Sequence, residues 1–198
     1  IKLLSAMQGR IGLELARESD GVLRGWSAGT DYYVTRFPNF RTLASRNGGQ
    51  EVNSGEKVLD FSALDLPLSA DLSLAGVGLR LRALASLRRF PDQNVVNDVG
   101  AYTGQKRRDL YWSAGAEAER VLPTLPFFGG PLEWAAGAAA AYARLDSNQN
   151  NFQASTFDFN PDYYSYGEIS GGPTLRLRYR HKLTARLGTS FARRGFVG

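Results

Sequence analysis

Apolar and polar residues alternate along much of this chain with a period of two, as expected for β-strands with one apolar and one polar face. Between Val77 and Arg88 the odd positions are apolar, whereas most even positions are polar and include three arginines. In a helix these arginines would scatter around the cylinder, but in a strand they share one face. Interpreting such stretches as strands predicts about eight, at residues 6–17, 22–36, 57–68, 75–90, 107–122, 132–145, 165–180 and 183–196.

Two stretches depart from simple alternation. Residues 134–144 are rich in alanine, which favours a helix; Gly137 and the preceding Gly129-Gly130-Pro131 turn favour a strand, which is the structure we predict. Alternation in the third predicted strand breaks near Ala63-Leu64, and this break predicts a β-bulge.

The connections between predicted strands fall into two length classes. Short ones lie near residues 18–21, 69–74, 123–131 and 181–182, and long polar ones at 37–56, 91–106 and 146–164. Short and long connections alternate, as in outer-membrane barrels with tight periplasmic turns and longer outward loops.

Through this alternation, nearly the whole chain resembles Gram-negative outer-membrane β-barrels as a class. The resemblance implies an all-β fold, an antiparallel up-and-down transmembrane β-barrel in the bacterial outer membrane, with residues 1–198 as one domain. More weakly, Asn160-Pro161-Asp162-Tyr163-Tyr164-Ser165-Tyr166, followed by a glycine-rich hairpin with several arginines, resembles the barrel domains of exopolysaccharide exporters.

The composition excludes transmembrane helices but is compatible with a transmembrane β-barrel. Mean hydropathy is −0.29, and no stretch approaches the roughly 20 apolar residues that a spanning helix needs. A membrane-spanning strand needs only about 9–11 residues, of which every second one is apolar.

The polar faces of the predicted strands carry many charges, although the chain's net charge is only +5. An arginine facing lipid at mid-depth would cost about 2–4 kcal/mol. We therefore expect the following charged residues to face a lumen: Arg80, Arg82, Glu117, Glu119, Glu133, Glu168, Arg176, Arg178, Arg180 and Arg186. Two interpretations stay open: Arg–Glu ladders that fill a narrow barrel, or a basic wall that favours anions or acidic polymers.

The apolar faces carry aromatic residues near their ends. Trp134 and Tyr142 share one face and lie eight residues apart, which corresponds to about 26 Å along a strand. This spacing suits the two aromatic girdles that flank the apolar band of an outer-membrane barrel. The predicted girdle residues are Trp26, Tyr32, Trp112, Trp134, Tyr142 and Tyr179.

No residue pattern predicts an enzyme active site. The chain has no cysteine and one histidine, His181, on a predicted periplasmic turn, whereas outer-membrane hydrolases resemble one another in placing a histidine near the outer side. One histidine and no cysteine also disfavour a transition-metal site. Loop carboxylates could bind Ca²⁺ weakly, but such loops are usually solvated turns; they are Asp146, Asp158 and Asp162. No catalytic residue, metal or cofactor is expected.

The expected partners follow from the predicted location. The basic run Lys106-Arg107-Arg108 suits nucleic acid by charge alone, but its place on an outward loop favours lipopolysaccharide phosphates or plain solvation. We therefore expect outer-membrane lipid, lipopolysaccharide and other subunits of an envelope complex as partners, and no nucleic acid.

Eight strands with these connections would begin and end on the outer side, whereas small outer-membrane barrels start and finish inside. The sequence therefore predicts part of a larger barrel with at least one further strand at each end. Three functions stay open: a pore or export conduit with an arginine-rich lumen for anionic or polymeric solutes, a structural or assembly barrel plugged by salt bridges, and a soluble β-barrel that binds a small ligand. Detergent dependence separates the third from the others, and conductance separates the first two.

Overall fold

A computed structural model describes residues 6–38, 57–180 and 182–197, and this part of the chain is all-β. Strands and turns account for its regular structure, with no helix among the described residues. The strands are β1 (Met7–Glu18), β2 (Leu23–Arg36), β3 (Phe61–Leu74), β4 (Val77–Val96), β5 (Tyr102–Phe127), β6 (Gly130–Ser147), β7 (Asn151–Gln153), β8 (Asp158–Asn160), β9 (Tyr166–Tyr179), β10 (Leu183–Gly188) and β11 (Phe191–Phe196).

Nine of these strands form one antiparallel sheet in which neighbours in sequence are neighbours in space. The order is β1-β2-β3-β4-β5-β6-β9-β10, and β11 also pairs with β9. The predicted all-β antiparallel architecture is confirmed. Within the described residues the sheet is open: β1 pairs only with β2, and β10 and β11 pair only with β9.

The alanine-rich segment forms a strand, as predicted. It belongs to β6, which pairs along its length with β5 on one side and β9 on the other. Hydrogen-bonding partners on both sides outweigh the helix propensity of alanine, because propensity differences are only tenths of a kcal/mol per residue.

The predicted bulge near Ala63-Leu64 is wrong. Both residues pair in register with β2 and β4, and the irregular pairing of β2 with β3 lies between Leu23 and Gly25. Ala63 lies on the charged face of the sheet but is only 1% exposed. A small apolar residue at a crowded position therefore hid the alternation in the sequence.

Strands β4 and β5 extend well into the predicted long connection at residues 91–106. They end in a turn at residues 97–101, where the Asn97 side chain accepts hydrogen bonds from the amides of Val99 (3.2 Å) and Ala101 (2.8 Å). Gly100 has a φ of 79°. The polar composition thus marks an exposed hairpin whose arms still pair, as in the Lys106 Nζ to Asn94 Oδ1 hydrogen bond of 2.8 Å.

Several other connections are shorter or more ordered than predicted. The connection expected at 69–74 is wrong, because these residues belong to β3 and the turn follows at Ala75-Gly76. The connection expected at 123–131 shrinks to the two-residue turn Phe128-Gly129. Every φ in both turns is positive, as a tight hairpin turn requires. The polar stretch 146–164 contains the β7–β8 hairpin. His181 and most of the connection at 37–56 lie outside the described residues.

Candidate functional site

The ladder register separates the sheet into an apolar face and a charged face. On the apolar face, one continuous row runs Tyr32, Leu64, Leu87 and Leu110 across β2 to β5. One position along, the opposite face carries a row that includes Asp65 and Ser86. The register aligns the apolar positions of neighbouring strands with one another. The sheet therefore has two chemically distinct surfaces.

The charged face is the inner side of a curved sheet. A cavity of about 660 Å³ is lined by Asp71 and Arg80 from β3 and β4 together with Arg176 and Arg186 from β9 and β10. Strands β5 and β6 separate these two pairs in the sheet. They can line one cavity only because the charged face is concave, which leaves the apolar face convex.

Ion pairs cross the concave face from strand to strand. Arg80 Nε lies 2.6 Å from Asp71 Oδ1, and Arg176 Nη2 lies 2.5 Å from Glu119 Oε1. The second pair links β5 to β9 across the intervening β6. Three further pairs follow the same pattern: Arg10 with Asp31, Arg178 with Glu133 and Arg194 with Glu168.

Three arginines of the concave face differ from the rest. Arg82, Arg88 and Arg186 have no carboxylate within ion-pair distance among the described residues. Asp65 and Glu117, on the same face, likewise have no ion-pair partner there. Arg186 also lines the 660 Å³ cavity. The wall therefore combines ion pairs with unpaired charges of both signs, and Arg82 and Arg186 present exposed guanidinium groups there.

Arg180 lies apart from the other charged residues that the sequence assigned to one face. Strand β9 ends one residue earlier, and Arg180 occupies the turn with a φ of 49°. Its guanidinium donates to the carbonyl oxygens of Phe128 (3.4 Å) and Gly129 (3.2 Å). Arg180 thus joins two neighbouring turns.

A buried polar cluster lies at the end of the sheet with the longer connections. Asp109, which is 3% exposed, accepts hydrogen bonds from Arg107 Nε (2.9 Å), Arg107 Nη2 (2.7 Å) and Ser147 Oγ (2.6 Å). The Arg107 guanidinium lies 4.3 Å from the ring centres of both Phe90 and Tyr164. The cluster ties β4, β5 and β6 to the connection before β9.

Sequence reasoning missed this cluster, because Arg107 belongs to the basic run 106–108. That run reads as one exposed patch, but the Arg107 side chain is only 13% exposed and points to the face opposite its two neighbours. The strict alternation of β5 through this run was the signal that could have separated Arg107 from Lys106 and Arg108.

The six predicted girdle residues all fall on the convex face by register. Trp112 packs against Tyr142 with ring centres 5.1 Å apart. Trp134 Nε1 donates to the Pro123 carbonyl oxygen (2.8 Å), and the Tyr179 hydroxyl donates to that of Phe128 (3.0 Å). Further exposed aromatic residues, which were not among the predicted girdle residues, are Phe127, Phe128 and Phe191.

The convex face exposes large apolar side chains in the middle of its strands. Leu13 is 64% exposed, Leu68 54% and Ile169 66%. Soluble monomers rarely present contiguous apolar patches larger than a few hundred Å², and here such residues recur on strand after strand. The convex face therefore presents an extended apolar surface to its surroundings.

The described residues contain no helix long and apolar enough to cross a membrane. Nor does this part of the chain bring together three or more His, Cys, Asp or Glu side chains that could hold a metal ion. No protein-family model matches the chain, and no curated protein or solved structure matches it either.

Proposed function

We propose that this chain forms the wall of an outer-membrane β-barrel that acts as a pore or export conduit, with its convex face in lipid and its concave face lining the lumen. The observation that carries the proposal is the separation of faces: large apolar side chains are exposed on the outside of the curve, and ion pairs line the inside. Since the sheet is open among the described residues, a closed barrel would need further strands or another subunit to complete its wall.

The length of the uncharged stretch on the convex face supports this proposal. On β5 that stretch runs from Leu110 to Ala118 and is bounded by Arg108 and Arg120. Nine strand residues span about 26 Å, which is close to the roughly 25 Å apolar band of outer-membrane barrels. Charges thus begin on the convex face where such a band would end.

The concave wall suits an anionic or polymeric solute. Paired charges give a hydrated polar surface, while Arg82 and Arg186 expose guanidinium groups that have no ion-pair partner among the described residues. Fixed charges in a narrow passage concentrate counter-ions there. A passing anion or acidic polymer would therefore be favoured over a cation.

A structural barrel with a plugged lumen is the second candidate, and the Arg176–Glu119 pair favours it. This pair bridges two strands over a third, as side chains that fill a narrow interior would do. Conduction separates the two candidates.

The test is refolding of the full chain into neutral phosphatidylcholine vesicles, followed by single-channel recording in planar bilayers. The pore proposal expects insertion, discrete conductance and an anion preference that falls in the double variant Arg82→Gln/Arg186→Gln. The matched control Arg193→Gln removes one charge from the opposite face of β11 and should keep the preference. Insertion without conductance would establish the plugged barrel instead, and failure to insert would refute both.

A further inference from the structure

Two arginines face each other directly on the convex side of the sheet, at the end with the longer connections. Arg89 of β4 and Arg108 of β5 are ladder partners, and both are exposed. Opposed residues in an antiparallel pair have Cβ atoms only about 4.5–5.5 Å apart, and like charges there are destabilising. The pair therefore lacks a counter-charge in the sheet itself.

No described side chain supplies that counter-charge. Neither guanidinium has a hydrogen bond or ion pair with a described carboxylate; Arg108 contributes only its backbone, in hydrogen bonds with Asn148. Of the other arginines near this end, Arg107 binds Asp109 and Arg144 binds Asp146. Arg88 points to the opposite face, where its guanidinium lies 5.7 Å from the Tyr111 ring centre. An external anion between Arg89 and Arg108 would remove the repulsion.

The two arginines line a groove that has charged residues towards the end of the sheet and apolar residues towards its middle. A cavity of about 480 Å³ is lined by Arg89, Arg108 and Arg144 together with Leu87 and Leu110. Leu87 and Leu110 form the next ladder pair on the same face, and both leucines are more than a third exposed. A ligand that satisfies the whole groove thus needs an anionic head and an apolar tail.

We infer that this groove binds the phosphate headgroup of an anionic lipid, with an acyl chain lying over Leu87 and Leu110. Guanidinium groups bind phosphate oxygens through charge-assisted, often bidentate hydrogen bonds. The inference rests on the proposed function, because a lipid reaches the groove from the bilayer side of the wall. It adds a defined headgroup site at one rim of the apolar band.

Three carboxylates line the same groove and limit which anions bind; of these, Asp109 is buried and held by Arg107. Asp146 lines the groove but is held by Arg144 Nε at 2.8 Å, and Asp162 lines it from the connection before β9. They oppose a highly charged soluble anion that lacks an apolar tail. Asp146→Asn should therefore tighten phosphate-lipid binding while leaving the arginine pair intact.

The experiment measures lipid retention by native mass spectrometry on the full chain in neutral detergent, with phosphatidylglycerol, phosphatidylcholine and inorganic pyrophosphate as separate probes. We expect retention of phosphatidylglycerol and little of the other two, with about tenfold weaker retention in Arg89→Gln/Arg108→Gln, since the variant loses the charge-assisted hydrogen bonds. The matched control Arg120→Gln lies on the same strand and face at the opposite end and should bind as the wild type does.

Each outcome decides the question. Equal loss in Arg120→Gln would show general surface charge and overturn the site, and equal retention of phosphatidylcholine would overturn its headgroup preference. Retention of pyrophosphate as strong as that of the lipid would assign the groove to a free phosphate. Insertion into neutral vesicles measured on the same variants keeps the barrel proposal separate, because it does not depend on the arginine pair.

Discussion

Gly137 lies on the concave face beneath the ion pair that bridges β5 and β9 over the intervening strand β6. It lies on β6 between Glu119 of β5 and Thr174 of β9, and Arg176 reaches across it to Glu119. An added Cβ would stand 2.9 Å from Thr174 Oγ1 and 3.2 Å from the Glu119 Cα, with the Ala118 carbonyl oxygen closer still. The glycine thus lets three strands and the ion pair approach closely.

We expect Gly137→Ala to lower the free energy of unfolding by about 1–3 kcal/mol, because overpacking a filled site forces the backbone to shift. Urea unfolding of the refolded chain measures this. Gly104→Ala is the matched control on β5, where an added Cβ has nothing within 4 Å. Equal stability of the two variants would show that the strands around Gly137 separate at no cost.

For single residues, the sequence predicts the face of the sheet on which a residue lies better than it predicts the residue's ion-pair partner. Period-two alternation placed Arg80, Arg176 and Glu119 together, and the ladder does so too. It could not pair Glu119 with Arg176, because that contact depends on the register of three strands and on curvature. For Arg107 the face itself was predicted wrongly. Alternation indicates that Arg107 points to the other face of β5 from Lys106 and Arg108, but the three residues were grouped by their charge.

The structure divides the last predicted strand into two shorter strands, β10 and β11. Residues 183–196 read as one alternating run, but β10 ends at Gly188 and β11 begins at Phe191, both paired with β9. Opposite the break lies Pro173, whose carbonyl oxygen accepts a hydrogen bond from the Thr189 amide at 3.3 Å. Proline has no N–H to return to Thr189, so the ladder is interrupted there.

Pro173→Val should restore that donor and join β10 to β11. The new hydrogen bond would run from the residue-173 amide to the Thr189 carbonyl oxygen and would hold the joined strand against local opening. Since one hydrogen bond contributes about 1 kcal/mol, we expect amide hydrogen exchange slowed roughly five- to tenfold at residues 189–191. Exchange is read by mass spectrometry in detergent. Pro161→Val, in the turn after β8, is the control and should leave these amides unchanged. Unchanged exchange in Pro173→Val would place the cause of the break elsewhere.

Strand existence was thus predictable and strand ends were not. Alternation located every strand of the main sheet, but β4 and β5 continue through polar residues because their backbones pair regardless of side-chain chemistry. A break caused by one missing donor is equally hidden, since Pro173 lies in a different segment from the strand that it divides. Both failures come from hydrogen bonding between segments distant in sequence.

For the whole molecule, the separation into two faces yields a topological prediction that the absence of cysteine makes easy to test. Val99 in the β4–β5 turn is 72% exposed, Phe128 in the β5–β6 turn is 82% exposed, and Leu68 in the middle of β3 is 54% exposed on the convex face. In water all three would be accessible. In a bilayer only the two turns would be, and from opposite sides, because β5 runs between them.

Single cysteines at these positions, labelled with a charged maleimide on sealed vesicles, decide between the two situations. Val99→Cys and Phe128→Cys should react from opposite sides of the membrane, whereas Leu68→Cys should stay unlabelled until detergent is added, because lipid covers the convex face. If Leu68→Cys reacts as fast as Val99→Cys in intact vesicles, the convex face is in water. The exposed leucines would then need a protein partner, and the charged concave face would no longer be the lining of a pore.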